Sequence, residues 1–381
     1  MRLEPVDGGD ARAVLRALRG AVLGAGPAIA LGAASGPRVA LPAEMPAGTA
    51  LVVTTSGSTG YPKSVVLSRS ALTSSALATA ARLGEGAWLL ALPAHYIAGA
   101  QVLVRSLIAG REPAMLSGSF SAQAFAAAAH GMASSVGGTR VPTYTSLVPA
   151  QVQMLLDAGE HAALASFEAV LVGGQALAPA LAERAAAAGA RLVRTYGSSE
   201  TAGGCVYDGV PLDGVRVRVV DGEVQLSGPM LAEGYLAEPE RTASVFVDDG
   251  GARWYRTGDG GSFDGILRIT GRLDNVIVSG GINVSLDRVE QTVRAVAGFE
   301  SAVVVPVADE RWGEASVVVA PRAGVPDADA ALAALRDAVG AALGAPARPA
   351  RLVLVEAVPL LPSGKPDRQA LRARVRGEGG A

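Results

Sequence analysis

Lysine is scarce in this chain, and where it stands is the first pointer to chemistry. Lys and Arg together number 33, yet lysine occurs only at Lys63 and Lys365, which leaves 31 arginines. Where a position needs nothing more than positive charge, arginine serves here, so a retained lysine marks a place that needs a compact ammonium on a flexible stem. Both lysines lie in Gly- and Pro-flanked segments, YPKS and SGKP, and not on helix-patterned faces. Lys63 closes the segment TSGSTGYPK, in which Thr55, Ser56, Ser58 and Thr59 offer hydroxyl donors and Gly57 and Gly60 let the backbone turn tightly. Such a loop can aim N–H groups at phosphate oxygens while the ammonium offsets their charge. Its G-x-x-G-x-x-K spacing is not that of the Walker loop, so it reads as a different phosphate cradle.

A cradle of this kind works only if rigid elements hold it. TALVVTT before the loop is patterned as a buried strand, and SRSALTSSALATAARL after it as a helix with Ser68 as N-cap, so the unit reads strand, loop, helix. AWLLAL, EAVLVGG and RLVRTYG predict further buried strands between Ala-rich helical segments. That alternation predicts a layered α/β domain with parallel strands, whose ligands belong at strand ends. The apolar stretch from Trp88 to Val104 contains Pro93, His95 and Gln101 and is followed by Arg105, so it predicts a strand, a turn and a helix, with no membrane span. After Cys205 the pattern changes to short alternating runs such as VRVRVVDGEVQLSG, which predict a small antiparallel β subdomain. Beyond GRLDNVIVSGGINV come a helix from Leu286, strands SAVVVPV and EASVVVA, a long Ala-rich helix and a last strand RLVLVEA, a compact α+β module. The expected architecture is α/β: a large N-terminal layered α/β domain with a small β subdomain over residues 1–273, and a small α+β C-terminal domain over residues 274–381.

Composition narrows the partners. A chain of 381 residues with 50% hydrophobic positions exceeds one core of ordinary size, in keeping with two domains. Its net charge of −2 provides no basic surplus for nucleic acid or an anionic membrane, which points to small-molecule chemistry. The single cysteine, Cys205, excludes an intramolecular disulfide and a cysteine zinc cluster and suits a reducing compartment. The opening MRLEPVDGGD lacks the pattern of a secretory signal, and the expected location is the cytoplasm. Of the three histidines, His130 and His161 sit singly in Ala-rich helical stretches, so no histidine metal site is expected.

Taken in chain order, TSGSTGYPK, YGSSE, YRTGD, GRLDNVIVSGG and PSGKPDR resemble the motifs of the adenylate-forming superfamily of acyl-CoA synthetases, peptide-synthetase adenylation domains and luciferases. The resemblance runs from Thr55 to Arg368. It implies an acid–thiol ligase that joins a carboxylic acid to AMP at the expense of ATP and passes the acyl group to a thiol, that of CoA. TSGSTGYPK then corresponds to the phosphate loop. Tyr196 would lay its ring on adenine beside Gly197, Ser198 and Ser199, the last standing where the family usually has threonine, and Glu200 would hold Mg2+. Asp259 would accept the ribose hydroxyls, Arg272 would reach ribose or phosphate, and Gly173, Gly174 and Gln175 would approach adenine. Lys365 would stabilise the charge of the adenylation transition state. Asp274 would be the hinge of a mobile C-terminal domain, whose Gly280 and Gly281 swing toward pantetheine when Lys365 swings away. His95, in LPAHYIAG, resembles the residue that gates the acyl and thiol channels.

Only 54 residues precede Thr55, so the first N-terminal subdomain is expected to be reduced. With the segment GGTRVPTYTSLVPAQVQMLL this resembles the o-succinylbenzoate–CoA ligase branch of menaquinone biosynthesis. The acyl-pocket candidates are Thr143, Ser146 and Leu147, with Arg140 either facing a second carboxylate or serving as an ordinary surface charge. Another aryl- or acyl-CoA ligase, or an adenylation domain loading a carrier protein, would carry the same motifs. A non-catalytic nucleotide-binding relative would have no need of Lys365, Glu200 and Asp259 together.

Overall fold

A computed structural model of the chain describes residues 1–32, 41–55, 63–116, 118–132, 135–309, 312–361 and 364–377. Two sheets form the body of the N-terminal part. In the first, strands Leu3–Asp7, Ala28–Gly32 and Thr49–Thr55 run parallel, and Lys63–Ser68 and then Gly234–Tyr235 add antiparallel to the edge. The second sheet has seven strands, with Leu192–Ser198, Ala169–Val172, Thr143–Leu147, Ala87–Leu90 and Ala114–Met115 parallel and in that order. Its strand Ala169–Val172 is apolar on both faces because both are covered. Trp88, Leu90 and Leu171 enter the core shared with the first sheet and with helices Arg69–Leu83 and Ile97–Ile108, whereas Leu89, Val170 and Val172 pack outward on Val152, Leu155 and Leu181.

The expected strand–loop–helix unit contains one more element than its sequence pattern suggested. Lys63–Ser68 is itself a strand, paired with Thr49–Thr55 so that Thr55 faces Lys63, and the helix follows it, capped by the Ser68 hydroxyl on the Ala71 N–H at 3.2 Å. Thr54 Oγ1 and Ser64 Oγ lie 2.9 Å apart across this hairpin. The two strands that flank the glycine-rich segment are thus paired with each other, and Val65 and Leu67 of the second are buried in the core. Ser56, Gly57, Ser58, Thr59 and Gly60 lie outside the described residues.

A third, antiparallel sheet follows, with strands Arg216–Val220, Glu223–Ser227, Ala252–Phe263 and Phe246–Asp249, and Leu267–Arg272 alongside Ala252–Phe263. The chain leaves this sheet at Arg272 and enters the last one at Val276. The last sheet packs helices on both faces: Leu371 and Val375 of Arg368–Gly377 against Val303, Val305 and Val317, and Val289 and Val293 of Leu286–Arg294 with Leu335 against Val304 and Val318. The fold is thus mixed α/β with a large N-terminal domain and a small α+β C-terminal one, as its sequence pattern predicts. Among the described residues no helix is long and apolar enough to cross a membrane.

Candidate active site

Strand ends and one inserted loop assemble a cleft around Glu200. This carboxylate sits in a single 3-10 turn, Ser199–Thr201, directly after strand Leu192–Ser198, and is only 2% exposed. Lys63, at the mouth of the hairpin, pairs with its Oε1, and the Tyr235 hydroxyl donates to the same oxygen at 2.8 Å. The Lys63 ammonium also stands 5.2 Å from the centre of the Tyr235 ring. Burial alone would raise the Glu200 pKa; Lys63, Ser198 and Tyr235 outweigh it, so the group is held below the usual carboxylate range and stays ionised. The Tyr235 phenol is raised in turn, first by burial and then by the anion beside it.

Lys365 reaches the same cleft from the C-terminal domain. A Cβ on Gly174, whose φ is +81°, would lie 3.4 Å from Lys365 Cε, so the lysine stem runs alongside the end of strand Ala169–Val172. Gln175 Nε2 donates to Gly364 O at 3.3 Å, which ties that strand end to the lysine loop. The loop is braced by Leu361 N–H to Lys365 O at 2.7 Å and Asp367 N–H to Pro359 O at 2.8 Å. Desolvation by the cleft walls lowers the Lys365 pKa, Glu200 draws it back up and Lys63 pushes it down. The side chain is nevertheless still open to solvent, which tempers that shift.

A second cluster adjoins the first along strand Leu192–Ser198. Tyr196 donates its hydroxyl to Asp259 Oδ2 at 2.6 Å, and Arg272 Nη1 reaches Asp259 Oδ1 at 3.3 Å and Thr257 O at 2.7 Å. Burial raises the Asp259 pKa against the lowering effects of Tyr196 and Arg272. Tyr196, Ser198, Tyr255, Thr257, Asp259 and Arg272 line one small cavity of about 60 Å³. Arg272 also holds Asp274 through two bonds of 3.0 Å, and these raise its pKa and lower that of Asp274.

Other candidates fall at varying distance from this centre. His95 lies in the turn before helix Ile97–Ile108; its Nδ1 is 3.4 Å from Gly8 O, and burial lowers its pKa. Gly280 and Gly281 form the turn joining strands Val276–Ser279 and Ile282–Ser285, on which Val278 and Ile282 are exposed. Ser146 and Leu147 are buried at the end of strand Thr143–Leu147 that adjoins Gly173, whose N–H donates to Leu147 O at 3.3 Å. Arg140 and Thr143 are not brought to the cleft. Thr143 begins that strand, about 13 Å from Leu147 for four residues of strand rise, and its hydroxyl donates to Ser166 O at 3.3 Å; Arg140 precedes it in the short strand Thr139–Arg140 and pairs with Glu168 at 2.8 Å. Tyr235 was not legible as a site residue beforehand, because its partner lies 35 residues away on another sheet. Among the described residues no group of three or more His, Cys, Asp or Glu side chains could hold a metal ion. A single ionised, buried carboxylate such as Glu200 does suit a hard cation whose remaining ligands are substrate phosphates and water.

A buried carboxylate between two lysines, beside a tyrosine–aspartate–arginine pocket and bridged by a small C-terminal domain, is the arrangement of a nucleotide-binding adenylate-forming enzyme. Residues 16–236 match the AMP-binding enzyme family and residues 288–365 its C-terminal domain, so the chain belongs to the AMP-binding enzyme family. A probable 2-succinylbenzoate–CoA ligase of Mycobacterium tuberculosis is 43% identical over 341 residues, 86% of this chain and 85% of that protein. Among solved structures, an amide bond synthetase from Marinactinospora thermotolerans superimposes with a TM-score of 0.72 at 30% identity over 92% of this chain and 75% of its own. A variant of Escherichia coli MenE with bound OSB-AMS does so with a TM-score of 0.70 at 29% identity, over 90% and 72% of the two chains.

Proposed function

We propose that this protein is an acid–thiol ligase that activates o-succinylbenzoate with ATP and transfers the acyl group to CoA. The observation that carries the chemistry is the convergence of Lys63, Lys365 and Glu200 in one cleft. The substrate rests on the 43% identity to a probable 2-succinylbenzoate–CoA ligase over most of both chains.

In the first half-reaction a carboxylate oxygen of the acid bonds to the α-phosphorus of ATP while the bond to the bridging oxygen of the β-phosphate breaks, and pyrophosphate leaves with that electron pair. Two anions must meet, so the residues act by charge: Lys63 serves the outer phosphates and Lys365 the reacting oxygens. Tyr196 stacks on adenine, and Asp259 with Arg272 receives the ribose hydroxyls. Glu200 would hold Mg2+, which would supply neutralisation of phosphate charge when bound. No general base is needed, because the acid enters ionised. In the second half-reaction the thiol sulfur bonds to the acyl carbon, its proton passes to solvent, and AMP departs with the electrons of the broken C–O bond. For this we place a domain boundary and hinge at Asp274, about which Lys365 leaves and Gly280 and Gly281 enter, with His95 lining the channel. ATP and CoA as co-substrates and a single buried thiol at Cys205 accord with work in the cytoplasm.

The test is purified protein with ATP, Mg2+, CoA and a panel of acids. The expected result is acid-dependent pyrophosphate release and a thioester with o-succinylbenzoate. Benzoate or a fatty acid favoured tenfold in kcat/KM, about 1.4 kcal/mol, would overturn the substrate and leave the ligase standing. Acyl-adenylate that ignores CoA and loads only a carrier protein would overturn the thiol assignment.

A further inference from the structure

We propose that Asp287 is the positioning residue that keeps Lys365 in the cleft during adenylation. It does so by pinning the start of helix Leu286–Arg294 to the end of the strand that carries Arg272. The proposal rests on the reading above, in which Asp274 is the pivot and Lys365 acts in the first half-reaction only.

The Arg272 backbone N–H donates to Asp287 Oδ2 at 2.6 Å, and Asn275 Nδ2 donates to Asp287 Oδ1 at 2.7 Å. Leu286 N–H closes the same corner on Asn275 O at 3.0 Å. Arg272 precedes the pivot and Asp287 follows it, so the 2.6 Å bond spans the pivot and must break when the domain turns, while the Asn275 bond travels with the domain. The fit is close enough to dictate the neighbouring residue: a Cβ on Gly271, whose φ is +132°, would stand 2.5 Å from Asp287 Cβ. On one side Arg272 is opposite Asp259 in the strand register and bonded to it, so the anchor is the wall of the ribose pocket itself. On the other side the helix carries buried Glu290, which accepts from Arg294 at 2.9 Å and from Arg368 at 2.7 Å. Arg368, three residues past Lys365, also donates to Val304 O at 2.8 Å. A continuous chain of bonds thus runs from the nucleotide pocket through Asp287 to the base of the lysine loop.

An acidic residue in the first turn of a helix also favours that helix through its dipole, which would support the C-terminal domain in any orientation. Separate assay of the two half-reactions distinguishes the roles. Asp287→Ala should lower acid-dependent pyrophosphate release about tenfold, the scale of one charged hydrogen bond, and leave thioester formation from supplied acyl-adenylate unchanged or faster. Asp287→Asn, which keeps an acceptor for the Arg272 N–H, should recover most of the loss. Labels on Glu183→Cys and Asp329→Cys, both exposed sites while Cys205 is buried, should report a shifted inter-domain distance distribution in Asp287→Ala. Equal loss of both half-reactions, or unaltered pyrophosphate release with unaltered distances, overturns the assignment. Lys365→Ala is run beside it. Release lost there but kept in Asp287→Ala overturns Asp287 alone, whereas release kept in Lys365→Ala overturns the underlying reading and the role of Asp287 with it.

Discussion

Two ammonium groups and one carboxylate give the cleft a surplus of positive charge among its described residues, which is what an incoming polyphosphate needs. The two cations differ in what else can replace them. In the proposed reaction Lys63 would share its task with Mg2+, whereas Lys365 comes from the C-terminal domain. Lys365→Ala should therefore lower adenylation by about a hundredfold to a thousandfold, as when one main oxyanion donor is removed, and still convert supplied acyl-adenylate to thioester. Lys63→Ala should chiefly raise the KM for ATP, seen as a larger change in KM than in kcat. Lys365→Arg should be as poor as the alanine variant, since a planar fork cannot put a single donor where the ammonium sits. An active Lys365→Arg enzyme would show that the position requires charge alone and would remove the argument from lysine scarcity.

At the scale of elements, the proposed hinge lies in the segment between the third and fourth sheets. Asp274 is clamped by Arg272 in this orientation, so a rotation there needs both a free backbone torsion and release of that ion pair. Asp274→Pro fixes φ and should leave pyrophosphate release largely intact while slowing thioester formation; Asp274→Ala, which removes the ion pair and leaves φ free, should spare both. Equal loss of both half-reactions in the proline variant would mean damage to the fold and no rotation. Elements buried on both faces were legible in the sequence: AWLLAL, EAVLVGG and EASVVVA are short, mainly apolar runs, the pattern of strands in a doubly covered sheet. The strand Lys63–Ser68 was not, because a short run between a glycine-rich loop and a helix cap takes its form from pairing with Thr49–Thr55. Thr143 and Leu147 are near neighbours in the chain, yet a strand carries its two ends to opposite edges of a sheet, and Arg140 lies in a separate short strand before it. Tyr235 and Asp287 act through contacts over 35 and 15 residues, which no local pattern encodes.

For the whole molecule, the domain rotation proposed above would couple protons to domain orientation through the lowered pKa of Lys365. The proton is held less tightly when the lysine is in the cleft, where desolvation and Lys63 oppose it, than when the domain has turned outward and the lysine regains its ordinary value near 10.4. In the absence of nucleotide, raising the pH through the lowered pKa therefore favours the inward orientation and lowering it favours the outward one. ATP inverts this preference, because its phosphates bind the protonated form and draw the charged lysine in. Since kcat/KM reports the ionisations of the free enzyme, kcat/KM for ATP in pyrophosphate release should fall on an alkaline limb below the ordinary lysine range. Thioester formation from supplied acyl-adenylate proceeds with Lys365 outside, and its thiol ionises as pH rises, so that rate should climb over the same interval. Parallel profiles of the two half-reactions are the measurement. A shared alkaline limb, or a limb in adenylation no lower than that of a free lysine, would mean that the cleft does not lower the lysine pKa and that proton release plays no part in domain exchange. The residual activity of Lys365→Ala should lack the limb altogether, which assigns it to this side chain rather than to a tyrosine of the nucleotide pocket, all of which titrate well above it.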